Sequence, residues 1–360
     1  MTKRIVAHLD MDAFFASLEE RDNPQWNGMA IVVGSDPKNG DGRGVVSTAN
    51  YKAREYGIRS ALPISVAWRY SQKAKNEGKP EAIFLPPDFE RYEKASGDIF
   101  EIIKKYSKSV EPASIDEFYF DLSSARSFEK AKKICQKIKD EIKIKVRVTC
   151  SVGIGSNKLI AKISAGMKKP DGLVVVKEND AENFLEKLPI RNIPGIGPKT
   201  ELYLHSKNVK IVKDLKRFSR EELKEMLGKW GESIYFKARG IDESPIVENK
   251  EAKSIGEQTT FQEDTLNSVF ICQELKKLCE GVFKSFKESE FKSFKTIAIT
   301  VRFYDFETKT SAKTFKKEME DKKMLMLESL KLLLPFFDRR KNPRQKSIRL
   351  VGVRVEKLKI

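Results

Sequence analysis

The sequence predicts an α+β chain built from more than one domain, and three observations predict it. Apolar, β-prone runs and segments of helical period follow one another as strand, helix, paired strands, helix, strand, and this β-α-β-β-α-β order occurs twice. Between the two copies lie short helices and then a polar run, 242–253, that carries Pro245 and reads as a linker. In the first copy two apolar runs carry paired acids at one end, Asp10 with Asp12 and Asp116 with Glu117, where a buried strand alone has no use for charge.

Ile5-Val6-Ala7-His8-Leu9 is the first strand, and Ala13 to Glu20 follows it as a helix. Ala30 to Gly34 and Gly44 to Ala49 read as two strands joined by a polar, Gly-rich connection at 35–43. That connection lacks the Gly-Lys-Ser/Thr ending of a P-loop, so it is a hairpin loop. Asn50 to Gly57 is a short helix with a glycine stop, which places Tyr51 and Arg54, three apart, on one face. Such a pair can grip a triphosphate through guanidinium and hydroxyl, although the spacing alone also fits ordinary surface packing.

A helix over 88–108 has Ile99, Phe100, Ile102 and Ile103 on its apolar side. Val110-Glu111-Pro112 then reads as a turn, because proline cannot donate to a ladder. Adjacent strand residues point to opposite faces, so Asp116 and Glu117 serve one cation only if the pleat breaks there. A helix over 127–142 and a strand over 146–154 complete a ferredoxin-like sheet with helices on one face. The segment between the first strand and residue 88 is then a large insertion. A helix over 157–167 carries Lys158 and Lys162, and the turn Lys168-Lys169-Pro170-Asp171-Gly172 follows, its lysines either neutralising phosphate or facing water.

Among the short helices of 180–240, Ile193-Pro194-Gly195-Ile196-Gly197-Pro198-Lys199-Thr200 has the pattern of a helix-hairpin-helix. Gly195 and Gly197 let a phosphate approach free backbone N–H groups, and the next helix N-terminus and Lys199 add positive charge. A contact of that kind holds a DNA backbone without reading its sequence. Beyond the linker come strand 254–262, helix 267–287, strands 294–304 and 310–317, helix 321–334 and strand 347–356. From Arg339 to Ile360 the basic residues, among them Arg339, Arg340 and Lys346, face one acid, Glu356. That run suits phosphate contact along a groove or a solvated tail.

Composition narrows the chemistry. The 360 residues hold 69 Lys and Arg against 52 Asp and Glu, a formal charge of +17, which points to a polyanionic partner and to nucleic acid before a thermophile's balanced surface. The four cysteines show no Cys-x-x-Cys spacing, which argues for reduced, mostly buried thiols and against a zinc site. With two histidines, His8 and His205, a His-based triad or His-ligated metal has little to draw on, and His8 reads as a packed strand residue. No run is long and apolar enough to span a bilayer, and no signal-peptide pattern precedes the first strand, so the expectation is a cytoplasmic protein with no membrane partner.

If the two acidic strands are neighbours, three or four carboxylates converge at one end of a sheet. Hard oxygens select Mg²⁺, and paired Mg²⁺ ions serve in-line phosphoryl transfer. Each cluster alone is equally an N-cap or a solvent-facing strand end. A nucleotidyl cyclase also pairs two such acids, but has no need of the hairpin or the basic domain. A non-enzymatic DNA-binding protein explains charge and hairpin but leaves the acids without a role.

Taken in order, Asp10-Met11-Asp12-Ala13-Phe14-Phe15-Ala16, Thr48-Ala49-Asn50-Tyr51-Lys52-Ala53-Arg54, Ser114-Ile115-Asp116-Glu117, Ser156-Asn157-Lys158-Leu159-Ile160-Ala161-Lys162 and Ile193-Pro194-Gly195-Ile196-Gly197 resemble the motifs of Y-family translesion DNA polymerases of the DinB type (DNA polymerase IV), over nearly the whole chain. The resemblance implies a right hand with a palm at 1–13 and 84–176, fingers at 14–83, a helical thumb at 177–241, the linker at 242–253 and a little finger at 254–360. It implies low-fidelity, template-directed synthesis from dNTPs on primer-template DNA by a monomer, with two Mg²⁺ ions for which Mn²⁺ can substitute. The implied metal ligands are Asp10, Asp116, Glu117 and the Met11 carbonyl, with Asp12 in the motif but outside the ligand set. The implied nucleotide contacts are Tyr51, Arg54 and Lys169, with Thr48 nearby. Phe14 and Phe15 both enter the nucleotide region; about 100° apart on a helix, one packs inward and one lines the site, and the resemblance points to Phe15 as the gate against a ribose 2′-OH. No stretch is left over for a proofreading exonuclease. A sliding clamp is a partner common in the family, but the chain ends without the usual clamp-binding tail, and Leu333-Leu334-Pro335-Phe336-Phe337 lacks the leading Gln and reads as a packed segment.

Overall fold

A computed structural model describes residues 4–249 and 251–360. They divide into two units, one of residues 4–40 and 45–249, the other of 41–44 and 251–360.

In the first unit, β1 (Val6–Met11) leads through a left-handed Ala13 (φ 47°) into α1 (Phe14–Asp22). An alanine there carries the steric cost of a left-handed L-residue, and the tight turn it makes ends the strand abruptly at the acids. β2 (Ile31–Gly34) and β3 (Val46–Ala49) pair antiparallel as expected. α2 (Tyr51–Glu55) is capped by Asn50, and α3 (Ile64–Asn76) precedes β4 (Ile83–Leu85), which adds in parallel to β2. Neither α3 nor β4 follows from the sequence pattern. α4 (Phe89–Lys104) is capped by the Asp88 carboxylate on the Arg91 amide, and its Ile99, Ile102 and Ile103 are buried.

Val110–Pro112, read as a turn from its proline, is instead β5, paired antiparallel with β6 (Glu117–Asp121). It is the outer strand of its sheet, where a missing N–H donor is tolerated. α5 (Phe128–Lys145), β7 (Cys150–Gly155), α6 (Lys158–Ala165) and β8 (Leu173–Val175) complete a sheet of order β5-β6-β1-β7-β8. Its first four strands have the antiparallel ferredoxin-like arrangement, with β1 central; β8 is an added parallel strand. One face is closed by Ile5, Ala7, Leu9, Phe118, Phe120, Val152 and Ile154 with Phe14, Ile99 and Ile138 from the helices.

The helices α7 (Ala181–Glu186), α8 (Pro198–Ser206), α9 (Val212–Leu215), α10 (Arg220–Leu227) and α11 (Lys229–Lys237) share a separate core around Leu185, Ile193, Leu204 and Leu223. The segment read as a linker is in part docked. Asp242 accepts from the Leu159 amide (3.0 Å), the Val247 amide donates to Glu111 (2.9 Å), and Ile246 packs on Val6, Tyr119 and Ala161.

The second unit contains β9 (Ser254–Thr265), α12 (Ser268–Glu288), β10 (Phe294–Phe303), β11 (Thr308–Met319), α13 (Lys322–Leu333) and β12 (Ile348–Glu356), within a few residues of expectation. Its strand order is β11-β10-β12-β9, so the first strand lies at an edge rather than at the centre, and the two units share an element order without sharing a topology. Of the segment read as packed, Leu333 and Phe336 are fully buried while Leu334 is exposed. All four cysteines are free thiols, and among the described residues no helix is long and apolar enough to cross a membrane.

Candidate active site

The register of β1 against β6 sets Asp10 opposite Glu117. Asp116 occupies the turn just before β6, where its carbonyl accepts from the Met11 amide at 3.0 Å, so the backbones carrying all three acids and Met11 meet at one sheet end. The side chains are held by other partners. Asp10 pairs with Lys169, Glu117 with Lys162 and His8, and Asp116 accepts from Ser114 Oγ at 2.6 Å. Among the described residues no three His, Cys, Asp or Glu side chains already form a metal cage.

Electrostatics separates the two facing acids. The His8 Nε2 contact at 3.3 Å, helped by Lys162, holds the Glu117 carboxyl down at about 2 against the cost of its burial. Burial pushes the Asp10 carboxyl above its ordinary value despite Lys169. Burial also pushes the His8 imidazole down, against the pull of Glu117. The donor set is hard oxygen, and two ammonium groups stand against it where a divalent ion would bring its charge; these residues fit Mg²⁺.

Asp12 belongs elsewhere. It is 1% exposed and accepts from Thr149 Oγ1 (2.9 Å), Ser151 Oγ (2.8 Å) and the Asp171 amide (2.8 Å), tying the end of β1 to β7 and to the turn that carries Lys169.

Tyr51 and Arg54 share a face of α2, with the guanidinium 4.6 Å from the ring centroid and its Nε donating to the Ala49 carbonyl (2.9 Å). The Tyr51 hydroxyl is buried without a partner, and burial, with the charges of Asp12 and Asp10 nearby, pushes it up to about 12. A buried donor left unsatisfied beside a cluster of acids and lysines is a place for a ligand oxygen. Thr48 is half-buried on β3.

Phe14 and Phe15 divide as helix geometry requires. Phe14 is buried in the core and is the inward-packing member of the pair. Phe15 is half-buried and stacks on Tyr92, whose hydroxyl donates to Glu19 at 2.5 Å.

At the hairpin, Gly195 takes φ +105°, and Gly197 precedes α8 with Pro198 as its first residue. The Lys237 ammonium donates to the Pro194 carbonyl (2.9 Å), and Lys199 is exposed. In the second unit Arg339 is exposed, but Arg340 is paired with Asp338 (2.6 Å) and Lys346 with Asp305 (2.5 Å) and Glu307 (2.6 Å). The basic run is therefore less free than its sequence implies: Arg340 is met by a neighbouring acid and Lys346 by acids from another part of the unit.

Sequence reasoning missed three neighbours of the site: His8, Lys162 as a partner of Glu117, and Tyr92. Only Lys162 left a trace, in its four-residue spacing from Lys158.

Residues 9–166 match the impB/mucB/samB family, 252–360 its C-terminal domain, and 191–242 the DNA polymerase-iota thumb domain. The chain is 42% identical to DNA polymerase IV 2 of Methanosarcina mazei over 99% of this chain and 93% of that one, and 39% identical to DNA polymerase IV of Streptococcus agalactiae over 89% and 86%. Among solved structures it resembles the Y-family DNA polymerase chimera Dbh-Dpo4(243-245)-Dbh, with TM-score 0.87 and 30% identity over 99% of each chain. An insertion ternary complex of Dbh DNA polymerase gives 0.67 and 29%, again over 99% of each. The chain belongs to the Y family of DNA polymerases, in its DinB or DNA polymerase IV branch. It is a DNA-directed DNA polymerase of the translesion class.

Proposed function

We propose that this chain extends primers on damaged templates at low fidelity, with Asp10, Asp116, Glu117 and the Met11 carbonyl as the ligands of two Mg²⁺ ions, which Mn²⁺ can replace. The observation that carries the reading is the cross-strand pairing of Asp10 with Glu117, with Asp116 bonded alongside Met11. Bound there, the ions supply the charge that acidifies the primer 3′-hydroxyl and neutralises the leaving pyrophosphate.

The protein's own groups do the rest. Arg54 presents a planar fork and Tyr51 an unpaired hydroxyl to the dNTP triphosphate, with Thr48 nearby. Lys169, freed from Asp10, adds a cation to the same phosphates. Phe15 lies against the sugar, leaving no room for a 2′-hydroxyl. Gly195, Gly197 and Lys199 hold the DNA backbone from the thumb, and Arg339, with Arg340 and Lys346 if their acids release them, holds it from the little finger.

The reading keeps the palm at 1–13 and 84–176, fingers at 14–83, thumb at 177–241 and little finger at 254–360. It includes a cytoplasmic monomer without a proofreading exonuclease. Primer extension by the pure protein on a primed template with dNTPs and Mg²⁺ tests it. Template-directed extension that Asp10→Ala abolishes is the expected result. Extension unaffected by that change, or Mg²⁺-dependent shortening of the primer, contradicts it.

A further inference from the structure

The alternation of β1 sends Ile5, Ala7 and Leu9 into the core and leaves Val6, His8 and Asp10 on the opposite face. On that face His8 lies directly across from Tyr119 and diagonally from Glu117, within reach of a ring. The imidazole is fully buried, 4.5 Å from the Tyr119 ring centroid, and the Lys158 ammonium lies 4.6 Å from the other ring's centroid in turn. Val6, Tyr119 and Ala161 make the apolar cluster of this face. His8 has little freedom to turn.

Its two nitrogens are used unequally. Nε2 lies 3.3 Å from Glu117 Oε2, while Nδ1 is buried and without a partner. A leucine or phenylalanine would fill this space without stranding a polar atom, which costs about 1–3 kcal/mol. The position therefore accepts a penalty that an apolar residue avoids, and the one polar contact it gains is with Glu117. Both protein partners of that carboxylate, His8 and Lys162, sit on Oε2. Lys162 is a flexible ammonium from α6, whereas His8 is fixed by its neighbours.

We infer that His8 is a positioning residue of the polymerase site: its Nε2–H anchors Glu117 Oε2 and fixes the orientation in which the carboxylate meets a divalent ion. This rests on the proposed metal-ligand role of Glu117. Hydrogen-bonded supports of this kind are typically worth 10–100-fold in metal affinity.

The test replaces His8 with phenylalanine, which retains a ring against Tyr119 but cannot donate, and with glutamine, which can. Mn²⁺ binding is read by electron paramagnetic resonance in the complex with dideoxy-terminated primer-template and matched dNTP, alongside melting temperature and DNA affinity. His8→Phe is expected to weaken Mn²⁺ binding about tenfold or more, with DNA affinity within a few-fold of the parent and His8→Gln recovering part of the loss. The Mg²⁺ concentration for half-maximal incorporation should rise in the same order. Unchanged Mn²⁺ affinity in His8→Phe overturns the inference, as does an equal loss in Phe and Gln variants, which makes the effect one of packing. Asp10→Ala is the control for the underlying reading. If it too keeps parental Mn²⁺ binding, the metal site itself is misassigned; if it loses binding while His8→Phe does not, only the role of His8 falls.

Discussion

The rings of Phe15 and Tyr92 lie nearly parallel, 11° apart, with centroids 4.3 Å from one another. Phe89 meets the Phe15 ring edge-on at 6.0 Å, so the residue proposed to exclude a ribose is braced by aromatic neighbours. Phe15→Ala should raise the kcat/KM for a matched ribonucleotide strongly while lowering that for the deoxynucleotide only modestly. Phe14→Ala removes a fully buried ring and should cost about 3–5 kcal/mol of stability, seen as a lower Tm without a change in sugar selectivity. Unchanged selectivity in Phe15→Ala contradicts the gate, and a selectivity change confined to Phe14→Ala reverses the assignment.

Asp12, although part of the acidic motif, acts as a clamp between β1 and β7. Asp12→Ala strands two hydroxyls and the Asp171 amide, and should cost about 3 kcal/mol or more, lowering Tm. If the variant is as stable as the parent, its role as a clamp is wrong.

Without divalent ions, the facing acids should pull stability in opposite directions with pH. Glu117 is held at about 2 by His8 and Lys162, below its ordinary 4.5, so it contributes stability that is fully present above 4.5 and lost as pH falls through about 2. Asp10 is raised by burial, so its ionised form costs stability at neutral pH, and that cost fades as the group protonates. Thermal melts from pH 2 to 7 check the signs. Glu117→Gln should be less stable than the parent at neutral pH, with the gap closing toward pH 2; Asp10→Asn should be at least as stable at neutral pH. Gaps that do not vary with pH contradict both.

The basic residues proposed to hold DNA should not contribute equally to binding. Lys199→Ala and Arg339→Ala should each weaken binding and lower the salt slope by about 1. Lys346→Ala should do less, because Lys346 must first leave Asp305 and Glu307. Filter binding from low to high salt measures this, and a larger slope change for Lys346 than for Lys199 contradicts the ranking.

Where a period runs long enough, the fold was legible in the sequence. Ile99, Ile102 and Ile103 of α4, the apolar face of α5, and all six elements of the second unit lie close to where their patterns place them. α3 escaped because its buried side includes Ala67, Ser71 and Ala74, small residues with little apolar signal. β4 and β8 are three residues each, too short to show alternation, and Pro112 masked an edge strand. The acids of the site were legible as charge on apolar strands. Their partners were not: His8 reaches Glu117 only through the β1–β6 register, and Lys346 meets its acids only across folded chain.

Single-turnover incorporation of one matched dNTP by Asp116→Ala and Glu117→Ala, measured beside their affinity for primer-template DNA, tests the metal-site assignment most directly. The account predicts a rate lowered by roughly 10³-fold or more, several kcal/mol of barrier, with DNA affinity within a few-fold of the parent because the DNA is held elsewhere. Incorporation at the parental rate by either variant would contradict it.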